Sequence, residues 1–330
     1  MKDGIGARAT RKEDKRLLTG KGRYTDDIRR ENQAYAGFVR SPHAHARVRG
    51  IDAADAMGMD GVIAVLNGQE LTGDGIGNII CGWAITSKDG SPMNMGAWSA
   101  LATEKVRYVG DAVAVVIAES QAQARRAAEA VSVDYEVLDA VVAGPDALAP
   151  GAPEIHDNAP GNLIFDWEIG DGAATDAALA GAAHVTEMAI TNNRLSPNAM
   201  EPRSAVATFD AAEDHYTLYT TSQNPHVARL VLSAFYQVAP ENKLRVIAPD
   251  VGGGFGSKIY VYPEEIVCLW ASMKTGRSVK WTSDRSEAFM TDAHGRDHVS
   301  TARMGFDADN RIVGFKVDTI ANLGAYMSLF

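Results

Sequence analysis

Four glycines fall within five positions of the stretch Pro249-Asp250-Val251-Gly252-Gly253-Gly254-Phe255-Gly256-Ser257-Lys258, behind a β-branched run and ahead of a helical one. A segment with so few Cβ atoms is neither strand nor helix interior. It turns, admits φ > 0, and brings bare backbone N–H groups close to a partner. Phe255 in its midst has two readings: it plugs the core, or it forms one wall of a site. Spacing excludes the familiar phosphate loops. A Walker A loop places Lys directly after its last glycine and Ser or Thr next, whereas here Ser257 precedes Lys258 and Ile259 follows it. A dinucleotide fingerprint begun at Gly252 needs glycine where Ser257 stands.

A second segment, Thr220-Thr221-Ser222-Gln223-Asn224-Pro225-His226, joins the alternating run Tyr216-Thr217-Leu218-Tyr219 to helical spacing at Val227, Leu230, Val231, Ala234 and Phe235. Asn224 is the expected cap, and Pro225 suits the first helical position. Gln223 therefore lies beside the free N–H groups and the positive dipole end of a helix. Alone it is an ordinary loop glutamine; with a glycine turn that also joins strand to helix, it becomes a candidate for a shared site.

The fold class expected is α+β, in two domains. In the first, Ala112 to Ala118 reads as a buried strand, Ser120-Gln121-Ala122-Gln123 has capping-box spacing before an alanine-rich helix through Ala130, and Val131, Val133, Tyr135 and Val137 alternate. Tyr35 to Val48 and Gly61 to Leu66 are expected in the same sheet, and Asn78 to Gly96 as an irregular loop. Prolines and glycines cluster between Ala143 and Asn162, giving an extended surface connector and the division 1–145, 146–162 and 163–330. Beyond it are expected a helix from Thr175, with that residue as cap, a strand over Val185 to Thr191, a helix opened by Pro263 and closed by Gly276, and a hairpin turning at Asp307-Ala308-Asp309-Asn310.

At 330 residues and 46% hydrophobic, the chain can bury a core of two-domain size. A net charge of -10 with no cation-rich segment argues against nucleic acid. Neither a membrane-length apolar run nor a signal-peptide h-region after Met1-Lys2-Asp3-Gly4 is present, and the expected location is the cytoplasm. Cys268 reads as a core residue and Cys81 as buried or free; two distant cysteines cannot hold an iron–sulfur cluster, so any electron relay sits elsewhere. His43 with His45, and His294 with His298, lack a third ligand nearby and read as structural rather than metal-binding.

Gln223-Asn224-Pro225-His226, Asp250 to Lys258, Arg285-Ser286-Glu287 and His294-Gly295-Arg296-Asp297-His298 resemble, in that order, motifs of the molybdopterin-binding chains of the xanthine oxidase family. That family includes aldehyde oxidoreductases, aerobic carbon monoxide dehydrogenases and bacterial N-heterocycle hydroxylases. Gly20-Lys21-Gly22-Arg23-Tyr24-Thr25-Asp26-Asp27-Ile28, Arg40-Ser41-Pro42-His43-Ala44-His45-Ala46 and Val109-Gly110-Asp111-Ala112-Val113-Ala114 resemble its opening domain, the α/β-hammerhead. The first of these stretches leans toward the carbon monoxide dehydrogenase-like branch.

The resemblance implies a hammerhead domain followed by the first part of a molybdopterin-binding domain. It implies oxidation of an aldehyde, an N-heterocycle or carbon monoxide with water as oxygen source, by molybdenum on molybdopterin, in bacteria as the cytosine dinucleotide. Electrons would leave to 2Fe-2S and FAD partner chains, with the remaining molybdopterin-binding half and a small-molecule substrate as further partners. Gln223 matches the glutamine that donates to a molybdenum oxo ligand, and Gly254, Phe255 and Gly256 match the turn beside the metal, the Gly256 N–H acting as a donor. No side chain ligates the metal directly. Purine-oxidising relatives carry a glutamate where this chain has Ile259, which disfavours xanthine. Family chains run further, to a glutamate base and, in carbon monoxide oxidisers, a copper-binding cysteine loop that nothing here matches. With the apolar ending Ile320 to Phe330, the expectation is either the front fragment of a longer chain or one member of a naturally split molybdenum subunit, inactive by itself in both cases. The alternative is a noncatalytic binding or assembly module of the same fold.

Overall fold

The computed structural model describes residues 4–7 and 10–329. Met1 to Asp3 and Phe330, on which the expectations about a leader and an unfinished end partly rest, lie outside the described residues. The fold is α+β, built on three sheets. In the first half are β1 (Ala34–Arg40), β2 (Ala46–Asp52), β3 (Val62–Asn67), β4 (Lys105–Val106), β5 (Ala112–Ala118) and β6 (Ser132–Val137). In the second are β7 (His184–Asn192), β8 (Ser204–Asp210), β9 (His215–Thr220), β10 (Leu244–Ile247), β11 (Val279–Thr282), β12 (His298–Phe306) and β13 (Ile312–Ala321).

Seven strands run in the order β10-β9-β8-β11-β1-β5-β3, with separate sheets β4-β2-β6 and β13-β12-β7. The expected single sheet of the first half is therefore split: β1, β3 and β5 enter the large sheet, while β2 and β6 pair with each other beside it. The cause is the turn Ser41 to His45, which lifts the chain from one layer to the other between β1 and β2. The large sheet also crosses from the first half to the second. Its seam is a short parallel pairing of β1 with β11, Ala34 opposite Val279 and Tyr35 opposite Lys280.

β5 shows why its sequence is apolar at every position. All of its residues are buried, and alternate side chains enter different cores: Val115 and Ile117 join the large one, Ala114 and Val116 a smaller one confined to the first half. The large core draws Leu218, Leu232, Ile266, Leu269 and Trp270 from the second half against Leu66, Leu71 and Leu101 from the first. Helix Pro263–Thr275 lies inside it, apolar nearly all round as a buried helix must be. Cys268 is a buried thiol within that helix and Cys81 is also buried. No helix of the described residues is long and apolar enough to cross a membrane.

Local chemistry placed most elements well. Ser120 caps helix Gln121–Ala130 by accepting from the Gln123 N–H at 3.3 Å, and Gly276 closes helix Pro263–Thr275 in the left-handed conformation. Thr175 is not a cap. Helix Gly172–Ala180 begins earlier, and Asp171 caps it through the Ala174 N–H at 2.9 Å. The proline-rich connector is knitted rather than extended: Asn162 accepts from the Ile155 N–H and donates to the carbonyls of Ala147 and Pro153. His156, from the same connector, bonds the Ala325 carbonyl at 2.6 Å.

Asp111 lies 2% exposed where the first half meets the segment after β13. It accepts from the Arg107 N–H and from the Tyr326 hydroxyl, each at 3.0 Å. Burial pushes its carboxyl from 3.8 up to about 7 against those two bonds. Between these values the native chain holds a proton that the unfolded chain has released, so stability falls as pH rises from about 4 to about 7. Asp111→Asn keeps an acceptor for both donors and removes the titration. Urea midpoints taken across that range are expected to drop less with rising pH in the variant than in the wild type.

Candidate functional site

Gln223 follows β9 and precedes helix Pro225–Ala234, and its position is set by its neighbours. Thr221 pairs with Ser204 in both directions, and the Ser222 hydroxyl accepts the Asn224 N–H at 2.9 Å. Asn224 occupies the N-cap position without a side-chain capping bond; Ser222 has taken over the local bonding. Pro225 opens the helix as expected.

The glycine turn meets Gln223 directly. The N–H groups of Gly256 and Lys258 both donate to Gln223 Oε1, at 3.1 and 3.2 Å, and the Gln223 N–H donates to the Lys258 carbonyl at 2.8 Å. Two N–H groups converging on one amide atom fix it as the oxygen. The amide nitrogen of this exposed residue is left with its donors available.

The glycines of the turn have separate reasons. Gly253 and Gly256 sit at φ 100° and 95°, where a side chain is strained. Gly252 and Gly254 are needed for space: a Cβ would lie 2.5 Å from Glu201 Cβ in the first case and 2.3 Å from Gln223 Oε1 in the second. Phe255, at φ 51°, is 76% exposed and does not plug the core. The Gly256 N–H, expected as a donor, donates here to Gln223.

Beneath the turn lies a charged pair that local patterns did not reveal. Lys258 is 2% exposed, and its Nζ donates to the Glu201 carbonyl at 2.7 Å and approaches Glu201 Oε2 at 3.2 Å. That same Oε2 accepts the Gly252 N–H at 2.6 Å. The only hints in the sequence are a lone lysine opening the apolar run Ile259 to Val261 and a glutamate trapped before Pro202. At the front of the turn Asp250 accepts from the Arg23 N–H at 2.7 Å and from Arg16, whose hydrogen bond holds its half-buried carboxyl down at about 2. Three of the candidate histidines have partners of their own elsewhere: His45 Nδ1 bonds the Asp139 carbonyl, His43 packs against Tyr135, and His294 bonds the Phe289 carbonyl.

The sequence pattern of the molybdopterin cofactor-binding domain matches residues 155–330, and that of the aldehyde oxidase and xanthine dehydrogenase a/b hammerhead domain matches residues 19–139. The chain belongs to the xanthine oxidase family. Within it, the carbon monoxide dehydrogenase-like branch is the one it joins, corresponding to the N-terminal part of those chains. It is 37% identical to the carbon monoxide dehydrogenase large chain of Hydrogenophaga pseudoflava, over 98% of this chain and 40% of that one. It is 35% identical to the nicotine 6-hydroxylase large subunit of Paenarthrobacter nicotinovorans, over 98% of this chain and 38% of that subunit. Among solved structures, CO dehydrogenase from Oligotropha carboxidovorans superimposes with a TM-score of 0.86 at 34% identity, over 96% of this chain and 39% of that one. Quinoline 2-oxidoreductase from Pseudomonas putida 86 gives 0.85 at 32% identity, over 97% and 39%. The chain thus spans about two-fifths of the length of the curated relatives it matches.

The site fits the cofactor that this family binds. A donor amide, an apolar ring and the open space beside Gly256, where an added Cβ would meet nothing within 4 Å, form a surface with neutral hydrogen-bond donors and no steric lid. Gly254→Ala is expected to push the Gln223 side chain out of the turn, since a methyl group cannot share space with the amide. A crystal structure or NMR assignment of the variant should show Oε1 released from the Gly256 and Lys258 N–H groups, with stability lowered by roughly 1–3 kcal/mol.

Proposed function

We propose that this chain supplies one wall of the molybdenum-cofactor site of a hydroxylase or dehydrogenase that oxidises an aldehyde, an N-heterocycle or carbon monoxide. The observation that carries the reading is the direct contact of Gln223 with Gly256 and Lys258, which leaves the amide NH2 as an oriented donor at the turn that carries Phe255. When bound, the molybdenum cofactor supplies two-electron oxidation with water as the oxygen source. Gln223 and Phe255 would stand beside the metal without ligating it, and Gly254 and Gly256 would let the cofactor approach the backbone.

The residues of this chain divide the work. Gln223 donates through Nε2 to an anionic or oxo group and, being uncharged, holds that orientation without a proton of its own to lose. Phe255, exposed in this chain, would form one apolar side of the space and exclude water there once cofactor and the completing half cover it. Ile259, partly buried at the foot of the turn, offers no acceptor for a purine N–H, which favours substrates other than xanthine.

The partition 1–145, 146–162 and 163–330 is proposed as a division of roles, the first segment presenting the second, with their shared sheet as the joint. A bacterial enzyme of this kind would work in the cytoplasm with molybdopterin cytosine dinucleotide, a 2Fe-2S subunit, an FAD subunit and a polypeptide completing the molybdopterin-binding half. The names of two relatives, a large subunit and a subunit gamma of a dehydrogenase complex, support an assembly of several chains.

In the assembled enzyme, Gln223→Ala is expected to lower turnover about 10- to 100-fold at unchanged molybdenum content, the loss of one donor worth roughly 1.5–3 kcal/mol. Metal analysis and steady-state oxidation of one preparation check it. Full turnover at full occupancy returns Gln223 to an ordinary loop residue.

A further inference from the structure

We propose that Lys258 and Glu201 are positioning residues: together they hold the glycine turn, and through it the Gln223 amide, in the orientation from which Gln223 donates. The proposal rests on the reading of Gln223 given above. Its basis is a pattern of bonds that closes on itself. The carboxylate oxygen Oε2 of Glu201 takes the Gly252 N–H at 2.6 Å, at the start of the turn, and lies 3.2 Å from Lys258 Nζ, at its end. One atom therefore ties the two ends of the loop together from below.

The backbone of Glu201 repeats the connection. Its N–H donates to the Gly252 carbonyl at 3.1 Å, and its carbonyl accepts from Lys258 Nζ at 2.7 Å. Above the turn, the backbone of Lys258 grips Gln223 twice, N–H to Oε1 and carbonyl to N–H. Lys258 thus has two faces, its side chain on the brace and its main chain on the glutamine.

Such a brace has something to oppose. Phe255 is held at φ 51° with its ring in solvent, a conformation unfavourable for a residue with a Cβ, and free glycines on either side would let the loop relax. Glu201 and Gln223 pack into the positions that side chains at 252 and 254 would need, so the turn closes directly on both of them. A lysine whose side chain is 1% exposed and whose ammonium meets a carboxylate there gives an arrangement that fails if either partner is lost.

Hydrogen–deuterium exchange on the purified chain, read in peptides covering 252–258, tests the brace without requiring cofactor. Lys258→Met is expected to speed exchange there about tenfold or more while β5 peptides keep wild-type protection. Lys258→Arg should recover part of the protection, and Glu201→Gln should loosen the same peptides. Combining Glu201→Gln with Lys258→Met should loosen them no further than Lys258→Met alone, because the ion pair that Glu201→Gln removes is already absent without the Lys258 ammonium, and the glutamine oxygen can still accept the Gly252 N–H. Wild-type exchange over 252–258 in folded Lys258→Met, or additive losses in the pair, overturns the proposal. If Lys258→Met does not fold, Glu201→Gln decides in its place, unchanged exchange there being the overturning result. In the assembled enzyme a cycle with Gln223→Ala separates the two readings. A turnover loss from Lys258→Met that disappears in the Gln223→Ala background supports positioning through Gln223, and one that persists in full overturns it. Wild-type turnover in Gln223→Ala removes the reading of Gln223, and the exchange experiment still decides the brace.

Discussion

Burying the Glu264 carboxylate between two guanidinium groups is the constraint on which the rest of the structure depends. Burial alone would push this carboxyl up; Arg203 and Arg40 outweigh it and hold it at about 2. Arg203 donates to Glu264 and to Asp292, each at 2.6 Å, and lies 3.7 Å over the ring of Tyr262. Arg40, at the end of β1, donates to Glu264 at 2.6 Å and to Glu287 at 2.7 Å. An ion so deeply buried is tolerated only when every charge around it is matched, and removing one member strands the others. The network therefore specifies one arrangement of β1, helix Pro263–Thr275 and helix Arg285–Thr291, and it does so across the seam between the two halves, where only two residue pairs of β1 and β11 are in register.

The next residue carries that constraint to the site. Glu265 accepts from the Thr220 hydroxyl at the end of β9 and from the Tyr262 N–H at 2.9 Å. Two consecutive carboxylates thus fasten the start of one helix to β1 and Arg203 on one side and to the end of β9, just upstream of Gln223, on the other. Tyr262 completes the connection by donating its hydroxyl to the Ser257 carbonyl at 2.5 Å and accepting the Ala293 N–H at 3.0 Å. The loops of the site hang from groups that packing has already immobilised, the arrangement that lets a loop residue keep a fixed direction.

Local sequence carried the elements and the two site segments because their signals are local: a proline and a polar run opening a helix at Gln223, glycines that only a turn can use, a continuous apolar run in β5 and alternation in β6. Their convergence was legible through the resemblance and through the shared strand-to-helix setting. What stayed hidden was bonding between residues distant in sequence. Glu201 and Lys258 look like ordinary surface charges until the fold brings them together, and Glu264-Glu265 looks like a standard acidic first turn although both are buried. The same limit explains the sheet. Nothing in Ala34 to Arg40 says that one edge pairs with β5 and the other with a strand about 240 residues later. The partner of the Gly256 N–H stayed hidden for a related reason, since it depends on where the Gln223 side chain settles.

How the site's electrostatics relate to the charge of the whole chain follows from the same geometry. A net charge of -10 repels anions at long range, and salt at physiological strength screens that repulsion over about 8 Å. Inside that distance the field is local. The Lys258 ammonium, its pKa lowered by burial despite Glu201, points beneath the turn and is balanced there. What faces outward is the neutral amide of Gln223, held by a backbone that has already engaged its oxygen. A neutral donor fixed in this way attracts an oxo or anionic group at contact distance without drawing ions from bulk solvent, and it does so without titrating near neutral pH. The acidity of the chain therefore says little about the charge of the ligand. The placement of one amide, fixed by a buried ion pair below and an ion network behind, says more.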